Sequence, residues 1–508
     1  MTKTSLSKWT RILLFISLAL STFMMVLDYS IANVSIPYIS GDLGVSNEQG
    51  TYVITSFAVG NAIGLAMTGW LTKRVGDVKL LTISILLFTF FSWTCGLSFN
   101  LTMLIISRFI QGLVAGPVIP LSQSILIQEG TPESRAKDLS IWSTIIVTGP
   151  VVGPVLGGYI SDWYIWSWIF YINIPVGIFC AISIWLIMKN RGSEKQKVPT
   201  DLYGIVLLVI GVSCLQIFLD KGQQWDWINS NTIRILFIGT VVSFSFLVIR
   251  EFWFKTPFLN LRLLKIPTFS LSIIALAISY AIYFGTIVLV PLWLQEYMGY
   301  NAEWAGIAVC SLGIAPIFLS TFTPKITKRI GNVSTLLIGF AIFGFACFFS
   351  SFFDTDVDLF YISLGRFIFG IGFLYYITPL IGLSVRDIPE KELPNATGFF
   401  HFTRAMVGGI GTSVFVTLWE RRTIFHHERI GATLTPFNPL LPEKQDATSL
   451  ALLNNSVDQQ AAMLALNDAF YLMGWLFVGL ILILVFWKWK NRKVDVSSHK
   501  HHAIISSE

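Results

Sequence analysis

The sequence predicts an all-α integral membrane protein of fourteen transmembrane helices with both termini in the cytoplasm. Three observations predict it: an apolar composition sustained along the whole chain, basic residues confined to alternate gaps, and a pair of motifs that recurs half a chain later. Of the 508 residues, 54% are hydrophobic and 13% are charged, about half the charged share of a soluble domain. Mean hydropathy is +0.68, and no polar linkers divide the chain into soluble domains. A net charge of +6 would suit a nucleic-acid binder if it were spread over a surface. It sits instead in short gaps between apolar runs, where it reports membrane orientation. Cys95, Cys180, Cys214, Cys310 and Cys347 lie far apart inside apolar runs, which excludes a disulfide framework and a metal-ligand spacing.

A helix needs about 20 mostly apolar residues to cross ~30 Å of hydrocarbon. Such runs lie at about 12–37, 52–71, 80–99, 101–127, 139–160, 166–188, 202–219, 233–251, 269–294, 304–324, 333–353, 359–385, 396–419 and 468–487. The first is too long for a signal peptide, lacks a small-residue cleavage site and carries Asp28 and Asn33 in its second half. With the N-terminus inside, 26 of the 35 lysines and arginines fall in cytoplasmic segments and helix ends, as the positive-inside rule requires. Four of the few outer ones, Arg421, Arg422, Arg429 and Lys444, belong to one long outer loop, 420–467.

An internal repeat sets the organisation. Thr72-Lys73-Arg74-Val75-Gly76-Asp77-Val78 recurs as Thr327-Lys328-Arg329-Ile330-Gly331-Asn332-Val333, and Ser107-Arg108-Phe109-Ile110-Gln111-Gly112 recurs as Gly365-Arg366-Phe367-Ile368-Phe369-Gly370. The two matches keep their order and nearly the same offset. They pair spans 1–6 with spans 9–14 and leave two as an insert, a 6+2+6 plan: a six-helix bundle at 12–189, an insert at 201–251 and a second bundle at 268–490. Duplicated six-helix halves are a transporter architecture with a central site.

Polar residues inside the spans are the candidates for mechanism. Asp28 sits about sixteen residues into span 1, where a carboxylate costs at least ~2.5–3.5 kcal/mol and needs a partner facing the bundle interior. Arg108 enters span 4 about seven residues from its outer end, at a similar depth. Proton coupling and a static ion pair are both open to such a pair. Span 5 carries Gly149, Pro150, Gly153, Pro154, Gly157 and Gly158. Glycines four apart make a flat stripe for close helix contact, and the prolines remove backbone donors. Gly69, Lys73, Arg74, Gly76 and Asp77 mark a tight cytoplasmic turn between spans 2 and 3, and Trp166–Pro175 opens span 6 as an aromatic belt in which Asn173 is the strongly polar residue. No GxxxxGK[ST] motif or hydrolytic constellation occurs, and His427-Glu428 lacks a second histidine at helical spacing. The His499-Lys500-His501-His502 tail is given no metal role, and His401, able to titrate near neutrality, joins the substrate-cavity candidates Asn33, Gln111, Arg366 and Arg404.

With these residues in place, the chain resembles the major facilitator superfamily, specifically its fourteen-helix drug:proton antiporter branch of the EmrB/QacA type. Leu27-Asp28-Tyr29-Ser30-Ile31-Ala32-Asn33 looks like that branch's span-1 signature, the Gly69–Gly76 turn like motif A, Arg108–Gly112 like motif B, and the span-5 stripe like the antiporter motif C. The resemblance implies a proton-driven exporter with no cofactor, in which Asp28 and Arg108 serve coupling. It also implies a bacterial inner-membrane location and a membrane-fusion (EmrA-like) adaptor with an outer-membrane channel. Three positions depart from the pattern: Ser167 stands where span 6 usually has arginine, and motif A carries Lys73 at its acidic position and Asp77 at a basic one. An exporter of lipophilic multidrug substrates and a same-fold exporter of one dedicated siderophore, fatty acid or sugar both fit. Within the spans one carboxylate, Asp28, faces three guanidiniums, Arg108, Arg366 and Arg404, so neutral and weakly acidic substrates are expected over cations. In the outer loop, residues 447–466 approach helical spacing of apolar residues and read as an adaptor-docking segment or a lid.

Overall fold

The computed structural model describes residues 7–130, 132–193, 195–196, 199–222, 224–254, 257–320, 322–434 and 447–505. Among the described residues, the apolar runs of the sequence are largely helical. The longer helices are α1 (Lys8–Val34), α2 (Tyr52–Val75), α3 (Asp77–Gly96), α4 (Leu101–Ala115), α5 (Val118–Glu129), α6 (Pro132–Trp163), α7 (Asn173–Met188), α8 (Leu202–Lys221), α9 (Asn231–Trp253), α10 (Pro267–Glu296), α11 (Ala302–Leu319), α12 (Thr323–Ile330), α13 (Asn332–Ser350), α14 (Leu359–Val385), α15 (Leu393–Gly431) and α16 (Ala447–Ile505). Among the described residues, eleven helical spans are long and apolar enough to cross a bilayer, with α4 and α5 making one of them. The bent pair α11 and α12 makes a twelfth if it counts as one span. The chain is a multi-pass, all-helical membrane protein.

Two compact units divide the chain, residues 1–285 with 384–414, and residues 286–383 with 415–508. In the first, α1 and α6 run side by side in the same direction. Arg11 pairs with Asp138 at 2.7 Å, Trp142 Nε1 donates to Thr22 Oγ1 at 3.0 Å, Ser30 Oγ donates to the Gly149 carbonyl at 3.1 Å, and Ser35 meets Ser161 at 2.8 Å. The glycine stripe makes this possible: side chains added at Gly149, Gly153 and Gly157 would overlap Val26, Ser30 and Ile31. Motif C is therefore the seam that seats the helix carrying Asp28, and Gly158 lies partly exposed beside it. The side chains of Pro150 and Pro154 fall outside the described set. Motif B's Gly112 and the nearby Gly116 press onto the backbone of α2 at Phe57 and Gly64 in the same way.

The second unit is built on aromatic packing. Phe343 of α13 stacks on Phe477 of α16 at 5.0 Å and meets Phe369 of α14 edge-on at 4.3 Å. The sequence repeat is also a backbone repeat. Gly76 (φ 92°, ψ 148°) ends α2, and Gly331 (φ 84°, ψ 159°) ends α12, a conformation that side chains resist.

The outer stretch 420–467 departs from the expected loop. α15 continues to Gly431, and α16 begins at Ala447 and runs for 59 residues, about 88 Å at helical rise. The two ends pack antiparallel: Trp419 Nε1 donates to the Ala462 carbonyl at 3.0 Å, Arg422 and His426 both meet Asp468, and His427 meets Asp458 at 3.3 Å. Val457, Ala461 and Ala465 are buried, whereas Leu450, Leu452 and Leu464 are exposed. The expected apolar face is thus split, its small residues inward and three leucines outward.

Candidate functional site

Asp28, Arg108, Gln111 and Asn173 meet in the interior of the first unit, each essentially without solvent exposure. Arg108 Nη1 donates to Asp28 Oδ2 at 2.6 Å and to Gln111 Oε1 at 2.8 Å. Asp28 Oδ1 accepts from Asn173 Nδ2 at 2.8 Å and from Gln111 Nε2 at 3.3 Å. The carboxyl group thus receives three donors on two oxygens, the arrangement of an ionised carboxylate. The guanidinium is held between rings, with its carbon 4.2 Å from the centroid of Phe57 and 5.4 Å from that of Phe170. Its Nη2 has no hydrogen-bond partner among the described residues.

Each member comes from a different constraint in the sequence. Asp28 rides on α1, seated by the glycine seam with α6. Arg108 and Gln111 stand one turn apart on α4, so they share a face. Asn173 begins α7 after the aromatic Trp168–Tyr171 turn. Ser92 of α3 accepts from Asn173 at 3.0 Å and donates to the Phe170 carbonyl at 2.9 Å, which ties that turn to the site.

The other candidates lie elsewhere. Asn33 is exposed on α1. His401 Nε2 meets Gln123 Oε1 at 2.6 Å, both fully buried, with Trp142 edge-on to the imidazole. Arg404 stands over the Tyr280 ring at 5.6 Å. Arg366 belongs to the second unit, 1% exposed, 5.2 Å from the centroids of both Phe369 and Phe470, with Nη1 and Nη2 lacking hydrogen-bond partners among the described residues. A cavity of about 400 Å³ in the second unit is lined by Phe349, Phe352, Phe353, Asp354, Asp358 and Tyr361 and contains none of the candidates. Among the described residues no group of His, Cys, Asp or Glu is arranged to hold a metal. Gln123 and Ser92 went unmarked in the sequence, although each is a polar residue inside an apolar span.

The motif A turn shows what its altered charges do. Lys73 Nζ donates to Glu392 Oε1 at 2.7 Å, and Gly69 is bare where the Asn395 side chain passes. Asp77 Oδ1 instead accepts from its neighbouring Val78 amide and from the Ser193 amide, at 2.7 and 2.8 Å, pinning the segment after α7. Arg74 Nη1 donates to Thr200 Oγ1 at 2.6 Å. Burial pushes the Glu392 carboxyl up. Hydrogen bonds from Lys73, Asn395 and Asn260 outweigh that effect and hold its pKa below the ordinary value.

A duplicated-motif helical bundle with a caged intramembrane carboxylate defines a class, and comparison places the chain in it: residues 18–412 match the Major Facilitator Superfamily, to which the protein belongs. Among curated proteins it is 39% identical to the multidrug export protein EmrB of Haemophilus influenzae, over 94% of this chain and 96% of that protein. It is 38% identical to the fatty acid resistance protein FarB of Neisseria gonorrhoeae, over 92% and 94%, and 40% identical to the probable multidrug resistance protein EmrY of Escherichia coli, over 93% and 94%. Among solved structures, the human organic anion transporter MFSD10 superposes with a TM-score of 0.58 at 12% identity, covering 92% of this chain and 98% of that one, a likeness of fold.

Proposed function

We propose that the protein is a proton-coupled antiporter of the bacterial inner membrane that exports lipophilic small molecules by alternating access. Asp28 carries the proton, and the observation that supports this is its complete burial beneath three donors, one of them the Arg108 guanidinium. A carboxylate in that cage is stable only while its partners stay; a rearrangement that withdraws them favours uptake of a proton. Residues 12–189 and 268–490 are the two moving bundles, with 201–251 as the insert. Fourteen crossings follow if α6, which accompanies α1 along its length, and α15 are counted with the twelve apolar spans. The protein is a transporter with no enzymatic step.

Substrates are neutral or weakly acidic amphiphiles, because Arg108 already neutralises Asp28 and leaves Arg366 and Arg404 in excess. The name of the Neisseria relative, a fatty acid resistance protein, favours the second reading, an exporter dedicated to one such acid. The outer helical hairpin of α15 and α16, with Ile424, Leu450, Leu452 and Leu464 exposed, is the surface for a periplasmic EmrA-like adaptor that leads to an outer-membrane channel.

Inverted vesicles test the core of this reading. Wild-type protein should concentrate substrate only when a pH gradient is imposed, and Asp28→Asn should remain inserted but lose that drive. An Asp28→Asn protein that pumps at the wild-type rate would remove Asp28 as the proton carrier.

A further inference from the structure

The geometry around Asp28 assigns a role to Asn173. We propose that Asn173 is the positioning residue of the coupling carboxylate, an amide that serves its ionised form through the N–H end and its protonated form through the carbonyl end. The inference rests on the reading of Asp28 as proton carrier.

In the structure both N–H groups of the Asn173 amide are in use. One donates to Asp28 Oδ1 at 2.8 Å and the other to Ser92 Oγ at 3.0 Å. Ser92 spends its own proton on the Phe170 carbonyl at 2.9 Å, so toward Asn173 it can only accept. That fixes which end of the amide faces Asp28, an orientation the hydrogen-bond network decides. Once a proton adds to Oδ1, that oxygen turns from acceptor to donor. A half-turn of the amide about χ2 then brings its carbonyl oxygen to the new O–H, and the Ser92 hydroxyl turns its proton from the Phe170 carbonyl to the same oxygen, without moving a helix. The proton comes from water on one side of the membrane and returns to water on the other, and no other bond is made or broken.

The remaining partners cannot do this. Arg108 has no acceptor at all. Gln111 has one, but its Oε1 is held by Arg108 Nη1 at 2.8 Å and by the Cys95 thiol at 3.5 Å, so its N–H end stays toward Asp28. The charged and titratable groups facing Asp28 are Arg108 on α4 and Cys95 on α3, while Tyr29 of α1 interacts with Arg108 and with Asp220 of α8. α2 contributes the Phe57 ring and the Val53 carbonyl, the latter 3.4 Å from Arg108 Nε, α6 the glycine seam, and α7 the Asn173 amide.

The test is the pH profile of gradient-driven efflux in vesicles, measured with substrate KM. Asn173→Leu keeps the branched outline of the side chain, at a somewhat larger volume, and removes both ends of the amide. Both forms then lose a hydrogen bond, but the ionised form loses the stronger, charge-assisted one, so the profile should move to higher pH by about one unit, with KM changed less than about twofold. Asn173→Ser, whose hydroxyl can donate or accept, should recover part of the shift. Ser92→Ala, which frees the amide orientation, should move the profile the same way by less, and it decides the matter if Asn173→Leu fails to insert. A profile unchanged in Asn173→Leu, or in Ser92→Ala where that variant decides, overturns the assignment. If Asp28→Asn loses its drive while the Asn173 profile is unmoved, the positioning role alone falls. If Asp28→Asn pumps normally, both fall.

Discussion

Lys73 and Glu392 form a 2.7 Å ion pair at the cytoplasmic end of α2, with both side chains a little under one-third exposed. The pair gives the reversed charges of motif A a physical meaning. The lysine that replaces an acid finds an acid in the Glu390–Glu392 turn, and Asn260 and Asn395 brace that acid from the other side.

Charge reversal tests this latch. Lys73→Glu or Glu392→Lys alone places like charges together and should lower thermal stability by about 1 kcal/mol, with a several-fold loss of transport. The double reversal should regain most of both. Equal damage in the double variant would show that the two side chains act separately.

The same pair has a defined pH range. Glu392 is held below its ordinary value, so its contribution is present above the unfolded carboxylate pKa of about 4.3 and is lost as pH falls through the folded value. The stability difference between wild type and Glu392→Gln should be flat from about pH 5.5 to 8 and shrink below about pH 4. Melting curves across that range measure it, and a difference that vanishes near neutrality would contradict the assigned direction.

The division between what was legible and what was not follows from the range of each signal. The helices were readable because apolar runs and basic gaps are local, and Asp28 with Arg108 because intramembrane charges must find one another. The seam of Gly149, Gly153 and Gly157 announced close contact but not its partner, α1. The Lys73–Glu392 latch joins residues 319 positions apart, beyond any local pattern. The outer hairpin was legible only over 447–466, where apolar spacing approaches the helical period; there small residues such as Val457 and large ones such as Leu464 lie on opposite faces, which blurs that period.

The buried Asp28–Arg108 pair should show strong non-additivity. Arg108→Gln leaves a buried carboxylate without its cation, and loss of one partner from such a pair typically costs about 3–5 kcal/mol. Asp28→Asn with Arg108→Gln removes both charges and should melt well above the Arg108→Gln single variant in detergent. Arg108→Lys should also impair coupling, because an ammonium cannot keep Nη1 on Asp28 and Gln111 together while lying on the Phe57 ring.

The hairpin offers a test that would separate transport from assembly with a partner. Replacing exposed Leu450 and Leu452 with serine leaves the buried Val457 and Ala461 side in place. Efflux from vesicles should therefore persist, while drug resistance of whole cells falls. Loss of vesicle efflux as well would assign the hairpin to the transport cycle itself.

Substrate charge is set by what remains after the ion pair is counted. Asp28 and Arg108 cancel, and Arg366 stays buried with Nη1 and Nη2 unpartnered between the faces of Phe369 and Phe470. A guanidinium so placed is weakly screened and attracts an anion over a distance that water would damp. Arg404, over the Tyr280 ring, adds to the same bias. Matched lipophiles that differ only in sign, an acid and a dication, should therefore export at rates favouring the acid by about tenfold or more in one vesicle preparation. Arg366→Gln should reduce that ratio several-fold with little effect on a neutral substrate. Faster export of the dication by the wild type would overturn the charge argument, and an unchanged ratio in Arg366→Gln would move it from Arg366 to Arg404.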